Sequence, residues 1–164
     1  MCKRVFIGHS KTVKQLVYSE KYKIFLSAGY EFKIFVWNNT RTKPIKKLKG
    51  HDAMISCVLC PFGTFNAVSC DVKGVIKIWD LRDYSCSQTL YMTGTSQVFG
   101  AVVIPKYRKL LAYCILLLFK IARKFHIYEY ENPFLPEYSN DSIVGALAFS
   151  EYRLELFVGG CNHT

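Results

Sequence analysis

Residues 50–80 read GHDAMISCVLCPFGTFNAVSCDVKGVIKIWD, and this stretch decides the fold. It begins with Gly50-His51 and ends with Trp79-Asp80, and two short apolar runs lie between these pairs. Similar landmarks occur upstream as Gly8-His9 and Trp37-Asn38. The two histidines are 42 residues apart, and so are the two tryptophans, so the chain repeats itself with this period.

The spacing of apolar residues after each histidine supports the repeat. They stand four, seven and nine residues after His9 and His51, and the same spacing recurs from Gly94 and Asn140. The residues involved are β-branched, aromatic or otherwise apolar, and turn residues separate the runs, which favours strands over helices. The positions are Val13, Leu16, Tyr18; Ile55, Val58, Cys60; Val98, Ala101, Val103; and Val144, Leu147, Phe149.

These landmarks resemble the WD-repeat family of β-propellers. The resemblance implies an all-β fold, a partial WD-repeat β-propeller with about three blades plus the start of a fourth. We predict units at approximately 8–49, 50–93, 94–139 and 140–164, the last one incomplete. Residues 3–7 are expected to form an outer strand, and Gly159-Gly160 a turn. Because propellers usually have about 4–8 blades, we expect the chain to be a fragment, an incomplete gene model or a piece of a larger chain.

The third unit departs from the repeat. Its second strand is predicted at 109–113 and its third at 125–129, which is six residues later than the spacing requires. The apolar run 114–119 accounts for the extra length, although exposed turns are normally polar. A longer buried strand, a lengthened hairpin and wrongly included sequence all remain open.

The resemblance also implies a buried hydrogen-bond network of His, Ser, an acid and Trp in each blade. An acid is expected at position 73 of unit two, but Lys73 stands there and Asp71 comes two residues earlier. We therefore expect a network in unit one, an incomplete one in unit two, and none in units three and four, which lack the His and Trp. The implied residues are His9, Ser27, Glu31 and Trp37, then His51, Ser69 and Trp79.

Catalytic and metal-binding interpretations are weaker than structural ones. Each histidine has a serine 18 residues later, but the repeat explains this spacing twice, so no catalytic residue is assigned. Cys57 and Cys60 form a lone pair, whereas a structural zinc site needs about four ligands. We predict that the chain is not an enzyme, with no metal and no cofactor.

Composition favours acidic partners. The chain has 22 Lys and Arg against 12 Asp and Glu, a formal net charge of +10. The densest cluster is Lys43, Lys46, Lys47 and Lys49, on a predicted outer strand. Because the charges are scattered, a solvated surface without a binding role is one interpretation. If the charges do bind a partner, a protein with an acidic surface is the first expectation, and nucleic acid or anionic lipid is the alternative.

Cysteine content and hydropathy bear on location. Seven cysteines, an odd number, without a secretory leader predict a reducing, cytoplasmic environment. The apolar run 110–119 has about half the ~20 residues that a transmembrane helix needs, so no transmembrane segment is predicted.

Residues 27–31, 36–38 and 71–82 are similar to large ciliary and flagellar WD-repeat proteins, some of which carry EF-hands. This closer resemblance implies a ciliary or cytoskeletal location; no EF-hand pattern occurs here, so calcium binding is not carried over. The predicted function is a non-catalytic protein-interaction scaffold. Because its end blades would be uncovered, we expect the chain to need further blades or to self-associate.

Overall fold

The regular structure consists of β-strands. The computed structural model describes residues 4–61 and 64–91 with their side chains, and beyond them only the backbone of six strands. These parts of the chain contain no helix. In the first half the strands are β1 Val13–Ser19, β2 Ile24–Gly29, β3 Lys33–Asn38, β4 Lys46–Lys49, β5 Ile55–Leu59, β6 Asn66–Asp71, β7 Val75–Asp80 and β8 Ser85–Tyr91. In the second half they are β9 Gln97–Ile104, β10 Lys109–Ile115, β11 Lys124–Glu129, β12 Glu137–Ser139, β13 Ile143–Ser150 and β14 Glu155–Cys161.

Consecutive strands pair antiparallel into separate sheets. Strands β1 to β4, β5 to β8 and β9 to β12 form three four-stranded sheets, and β13 pairs with β14. Each four-stranded sheet is a meander in chain order, which is the topology of a propeller blade. The expected all-β, partial-propeller fold is confirmed.

The described core lies between the first two sheets. Ile24, Leu26 and Val36 of the first sheet pack in one cluster with Val58 and Trp79 of the second, and all five are at most 5% exposed. Alternation along each strand puts these side chains on one face. Burial of each large aliphatic side chain contributes about 1.5–3 kcal/mol, so this contact fixes how the two sheets meet.

A side-chain hydrogen bond adds to this contact. The backbone N–H of Val58 donates to Gln15 Oε1 at 2.9 Å, from β5 to β1. The bond falls beside the register shift between Ile55 and Cys57, where β5 is irregular.

The opposite face of the first sheet is exposed. Leu16 is 60% exposed, whereas Val58, at the same position of unit two, is fully buried. Val13 and Tyr18 are likewise exposed, each at 43%. An uncovered apolar face at the first blade agrees with the sequence-based expectation.

Three local predictions need correction. Residues 4–7 form no strand: they were expected to be the outer strand of a blade other than the first, but the backbone N–H of Ile7 donates to Thr42 O at 2.8 Å in the first unit instead. Gly159 and Gly160 lie within β14 opposite Ala146 and Val144, so strand pairing overrides the turn preference of glycine. The outer strand β4 begins at Lys46, which leaves Lys43 in the preceding loop.

In the third sheet, β10 runs to Ile115 and β11 begins at Lys124, with Tyr113 opposite Phe125. Residues 116–123 lie outside the described part, so the three interpretations of the apolar insert stay open.

Candidate functional site

Unit two contains a continuous chain of four buried side chains. Trp79 Nε1–H donates to Ser69 Oγ at 2.8 Å, and Ser69 Oγ lies 2.7 Å from His51 Nε2. On the other side of the ring, His51 Nδ1 lies 2.7 Å from Asp71 Oδ2. An indole can only donate, so a neutral His51 that donates from Nδ1 and accepts at Nε2 satisfies every member of the chain.

Unit one has the same chain with a different acid. Trp37 Nε1–H donates to Ser27 Oγ at 2.8 Å, and Ser27 Oγ lies 2.6 Å from His9 Nε2. His9 Nδ1 bonds to the Glu31 carboxylate, which also accepts from the backbone N–H and hydroxyl of Ser10 at 3.2 and 2.9 Å. All seven residues that the resemblance implied are therefore found in these two chains of contacts.

The prediction of an incomplete network in unit two was wrong. Asp71, the last residue of β6, supplies the acid, and the Lys73 side chain at the expected position is exposed. In unit one the residue at the place of Asp71 is Gly29, where a Cβ would lie 2.2 Å from Thr12 O. Unit one has no room for a side chain there and uses Glu31, two residues further along. The signal for Asp71 was its distance of 20 residues from His51, close to the 22 that separate His9 from Glu31.

Hydrogen bonding keeps both acids ionised. Burial of Asp71 opposes ionisation, but bonds from His51 and from the backbone N–H groups of Val75 and Lys73 outweigh it and lower the pKa of the carboxyl. Burial of Glu31 is likewise outweighed by bonds from Ser10 and His9, so its pKa is also lowered. The pair His51–Asp71 is 1% exposed on each side, whereas His9 and Glu31 are 12% and 11% exposed.

The chain of unit two has the connectivity of a Ser-His-acid triad but not its accessibility. Ser69 is fully buried, and its oxygen already accepts the indole N–H of Trp79. A nucleophile must reach substrate next to an oxyanion site, and this hydroxyl reaches neither solvent nor a substrate. The arrangement ties β6, β7 and the loop before β5 together.

The cysteine pair does not act as a unit. Cys57 is buried within β5, and Cys60 follows the strand in a less buried position. Burial raises the pKa of the Cys60 thiol to about 12, so it is a thiol at neutral pH. Cys57 faces Cys70 in the strand register, and neither cysteine forms a disulfide. Among the residues described with side chains, no group of three or more His, Cys, Asp or Glu could hold a metal ion.

A pocket of about 430 Å³ opens on the uncovered face of unit one. Its walls are mainly apolar and include Phe6, Leu16, Phe25 and Trp37. His9 and Ser27 lie at its inner side, which explains why this network is less buried than that of unit two. In unit two the corresponding face is filled by the first sheet.

The basic cluster lies on an exposed edge. Lys46, Lys47 and Lys49 of β4 are exposed, whereas Leu48 between them is buried in the core. Lys49 faces Lys33 directly in the strand register. Like charges at such close spacing repel each other, so an anion here would be attracted.

No helix in the described part of the chain is long and apolar enough to cross a membrane.

Four-stranded meanders, two of them with a Trp–Ser–His–acid chain inside, define a repeat protein of the β-propeller class. The family model described as WD domain, G-beta repeat, matches residues 1–38 and 42–80. The matched residues are WD repeats, and propellers built from such repeats typically serve as protein-interaction scaffolds.

The chain is also similar in sequence to two known proteins. It is 26% identical over 165 residues to cilia- and flagella-associated protein 337 B of Tetrahymena thermophila, covering 98% of this chain and 12% of that protein. It is 27% identical over 88 residues to protein hir1 of Schizosaccharomyces pombe, covering 53% of this chain and 9% of that protein. The chain thus spans about a tenth of the length of these relatives.

The fold resembles the crystal structure of the C-terminal WD40 domain of Sif2, with a TM-score of 0.73 and 16% identity. The match covers 93% of this chain and 44% of that domain.

Proposed function

We propose that the chain is part of a non-catalytic scaffold that binds an acidic protein surface in a cilium or flagellum. The observation that carries the proposal is the 26% identity to a cilia- and flagella-associated protein along 98% of the chain. Two buried hydrogen-bond chains make the first two blades rigid platforms for loops. Rigid presentation lowers the entropic cost of binding a partner.

Charge supports an acidic partner. The net charge is +10, and β4 presents three exposed lysines at a sheet edge. The surface of an axoneme, which is rich in tubulin, has the acidic character that would match this edge.

Two measurements test the proposal. The full-length protein, tagged at its native locus in ciliated cells, is expected to concentrate in cilia. In co-sedimentation with purified axonemes it is expected to pellet, and to lose at least half of the binding when β4 carries Lys46→Glu and Lys49→Glu. Exclusion from cilia, together with no axoneme binding, would refute it.

A second candidate function rests on the same edge. Lys33 and Lys49 face each other across β3 and β4, as expected of a site that holds phosphate groups of nucleic acid or anionic lipid. The affinity for a duplex oligonucleotide or for phosphatidylserine vesicles would then fall steeply between 50 and 200 mM salt, by about a thousandfold or more if six phosphates are contacted. Salt-insensitive binding to both probes would eliminate this candidate.

A further inference from the structure

The turn between β2 and β3 holds a bulky residue in an unusual backbone conformation. Phe32 has φ of 61°, in the left-handed region. At the same position of unit two stands Gly74, with φ of 81°. Glycine adopts this region without steric penalty, whereas a bulky aromatic residue there is an outlier. Unit one therefore has an aromatic residue at a position where the backbone conformation favours glycine.

Interior packing does not account for the aromatic side chain. Two other described residues that are not glycine have a positive φ, Lys23 and Tyr84. Each has an internal contact: the Lys23 side chain donates a hydrogen bond to Glu20, and Tyr84 packs against the core. Phe32 is instead 41% exposed, and its ring has the Lys11 ammonium 5.7 Å from its centroid. Residues held in such strained backbone conformations cluster at active sites and ligand-binding sites.

A second aromatic side chain belongs to the same turn. Tyr30 is 46% exposed, and its backbone N–H donates to Thr12 O at 3.1 Å. Glu31, between the two aromatics, points inward to His9 and Ser10 and is mostly buried. The turn is thus held by the buried network, and the aromatic pair is presented without the need to order a loop on binding.

The surroundings of the pair are basic. Lys11 lies over the Phe32 ring, Lys33 follows Phe32 in sequence, and Lys49 faces Lys33 in the register. The one acid of the turn, Glu31, has its charge engaged by the network. Exposed aromatic rings among cations fit a segment that combines carboxylates with apolar side chains.

We propose that Tyr30 and Phe32, with Lys11, bind an acidic, partly apolar segment of a protein partner. The proposal rests on the scaffold function and names the surface of unit one that carries it. Phe32 is the specificity-determining contact, because its ring is the group retained against the backbone preference.

Peptide selection on the full-length protein tests the site. A displayed library of random twelve-residue peptides is selected against the wild-type protein, and the enriched peptides are synthesised and titrated. We expect Glu- and Asp-rich peptides with interspersed apolar residues, whose Kd rises at least tenfold in Phe32→Gly and in Tyr30→Ala. The Tm of Phe32→Gly should be unchanged or higher, because glycine suits the left-handed backbone.

Phe65 provides the matched control. It is 42% exposed, and Lys21 and Arg82 lie 3.5 and 5.2 Å from its ring centroid. Phe65→Ala should leave the peptide Kd within twofold. An equal loss in Phe65→Ala, an unchanged Kd in Phe32→Gly, or selection of peptides without acidic residues would each overturn the site.

The outcome separates this site from the scaffold function. If the protein binds axonemes but Phe32→Gly changes neither peptide nor axoneme binding, the site fails and the ciliary scaffold stands. If acidic peptides bind through Phe32 while the protein neither enters cilia nor binds axonemes, the site stands and the ciliary role fails.

Discussion

The carboxylate of Asp71 lies 2.7 Å from Nδ1 of His51, and each side chain is 1% exposed. Asp71 also accepts hydrogen bonds from the backbone N–H groups of Lys73 and Val75, at 2.9 and 3.0 Å. One side chain thus closes the β6–β7 turn and ends the Trp–Ser–His chain of unit two.

Removal of this carboxylate should be strongly destabilising. Asp71→Ala leaves a buried imidazole N–H and two backbone N–H groups without acceptors, so the free energy of unfolding should fall by about 3 kcal/mol. Urea unfolding at pH 7 measures it. Lys73→Ala, at the position where the sequence pattern expected the acid, should change the stability by less than about 0.5 kcal/mol. A larger effect of Lys73→Ala than of Asp71→Ala would contradict the assignment.

The alternative position of the acid can be tested by rescue. Unit one shows that a Glu two residues further along reaches the same histidine nitrogen, since Glu31 bonds to His9. Lys73→Glu in the Asp71→Ala background should therefore recover about half of the lost stability. The same substitution in the wild type should give no gain, because His51 Nδ1 is already bonded. Identical effects in both backgrounds would rule out rescue through His51.

Much of the fold followed from the sequence, because a 42-residue repeat with strand-like runs constrains architecture strongly. The seven network residues were identified because the chain resembles the WD-repeat family at these positions. Asp71 was missed as a member because spacing identifies residues and not the direction of a side chain. The acid stands at different positions in the two units because Thr12 O leaves no room for a Cβ at Gly29. Unit one therefore has its acid two residues further along the chain. The only sign in the sequence of the strained backbone at Phe32 is that unit two has a glycine, Gly74, at the equivalent position.

Acid should weaken the fold through the two carboxylates. The pKa of each is lowered in the folded state, so each contributes stability that is complete above the unfolded-state values of about 3.9 and 4.3. This contribution is lost as the pH falls through about 4 toward the folded pKa. Urea unfolding between pH 7 and pH 3 should show the decline in the wild type and a shallower one in Asp71→Asn. Parallel curves for the two proteins would show that Asp71 does not titrate with a lowered pKa.

A charge introduced at equivalent positions of the first two units should change the free energy of unfolding by very different amounts. Leu16 and Val58 each stand seven residues after the repeat histidine, yet Leu16 is 60% exposed and Val58 is fully buried. Leu16→Lys should change the free energy of unfolding by less than about 0.5 kcal/mol, while Val58→Lys should lower it by more than about 3 kcal/mol, because it buries an unpaired ammonium.

The same pair tests self-association of the 164-residue chain. An exposed apolar face that includes Val13, Leu16 and Tyr18 favours contact with a second copy. Sedimentation velocity at increasing protein concentration should show oligomers for the wild type and mainly monomer for Leu16→Lys. Because this substitution is expected to leave the fold intact, which far-ultraviolet circular dichroism can verify, the loss of oligomers would assign the contact to this face. Oligomers that persist unchanged in a folded Leu16→Lys variant would place the contact elsewhere.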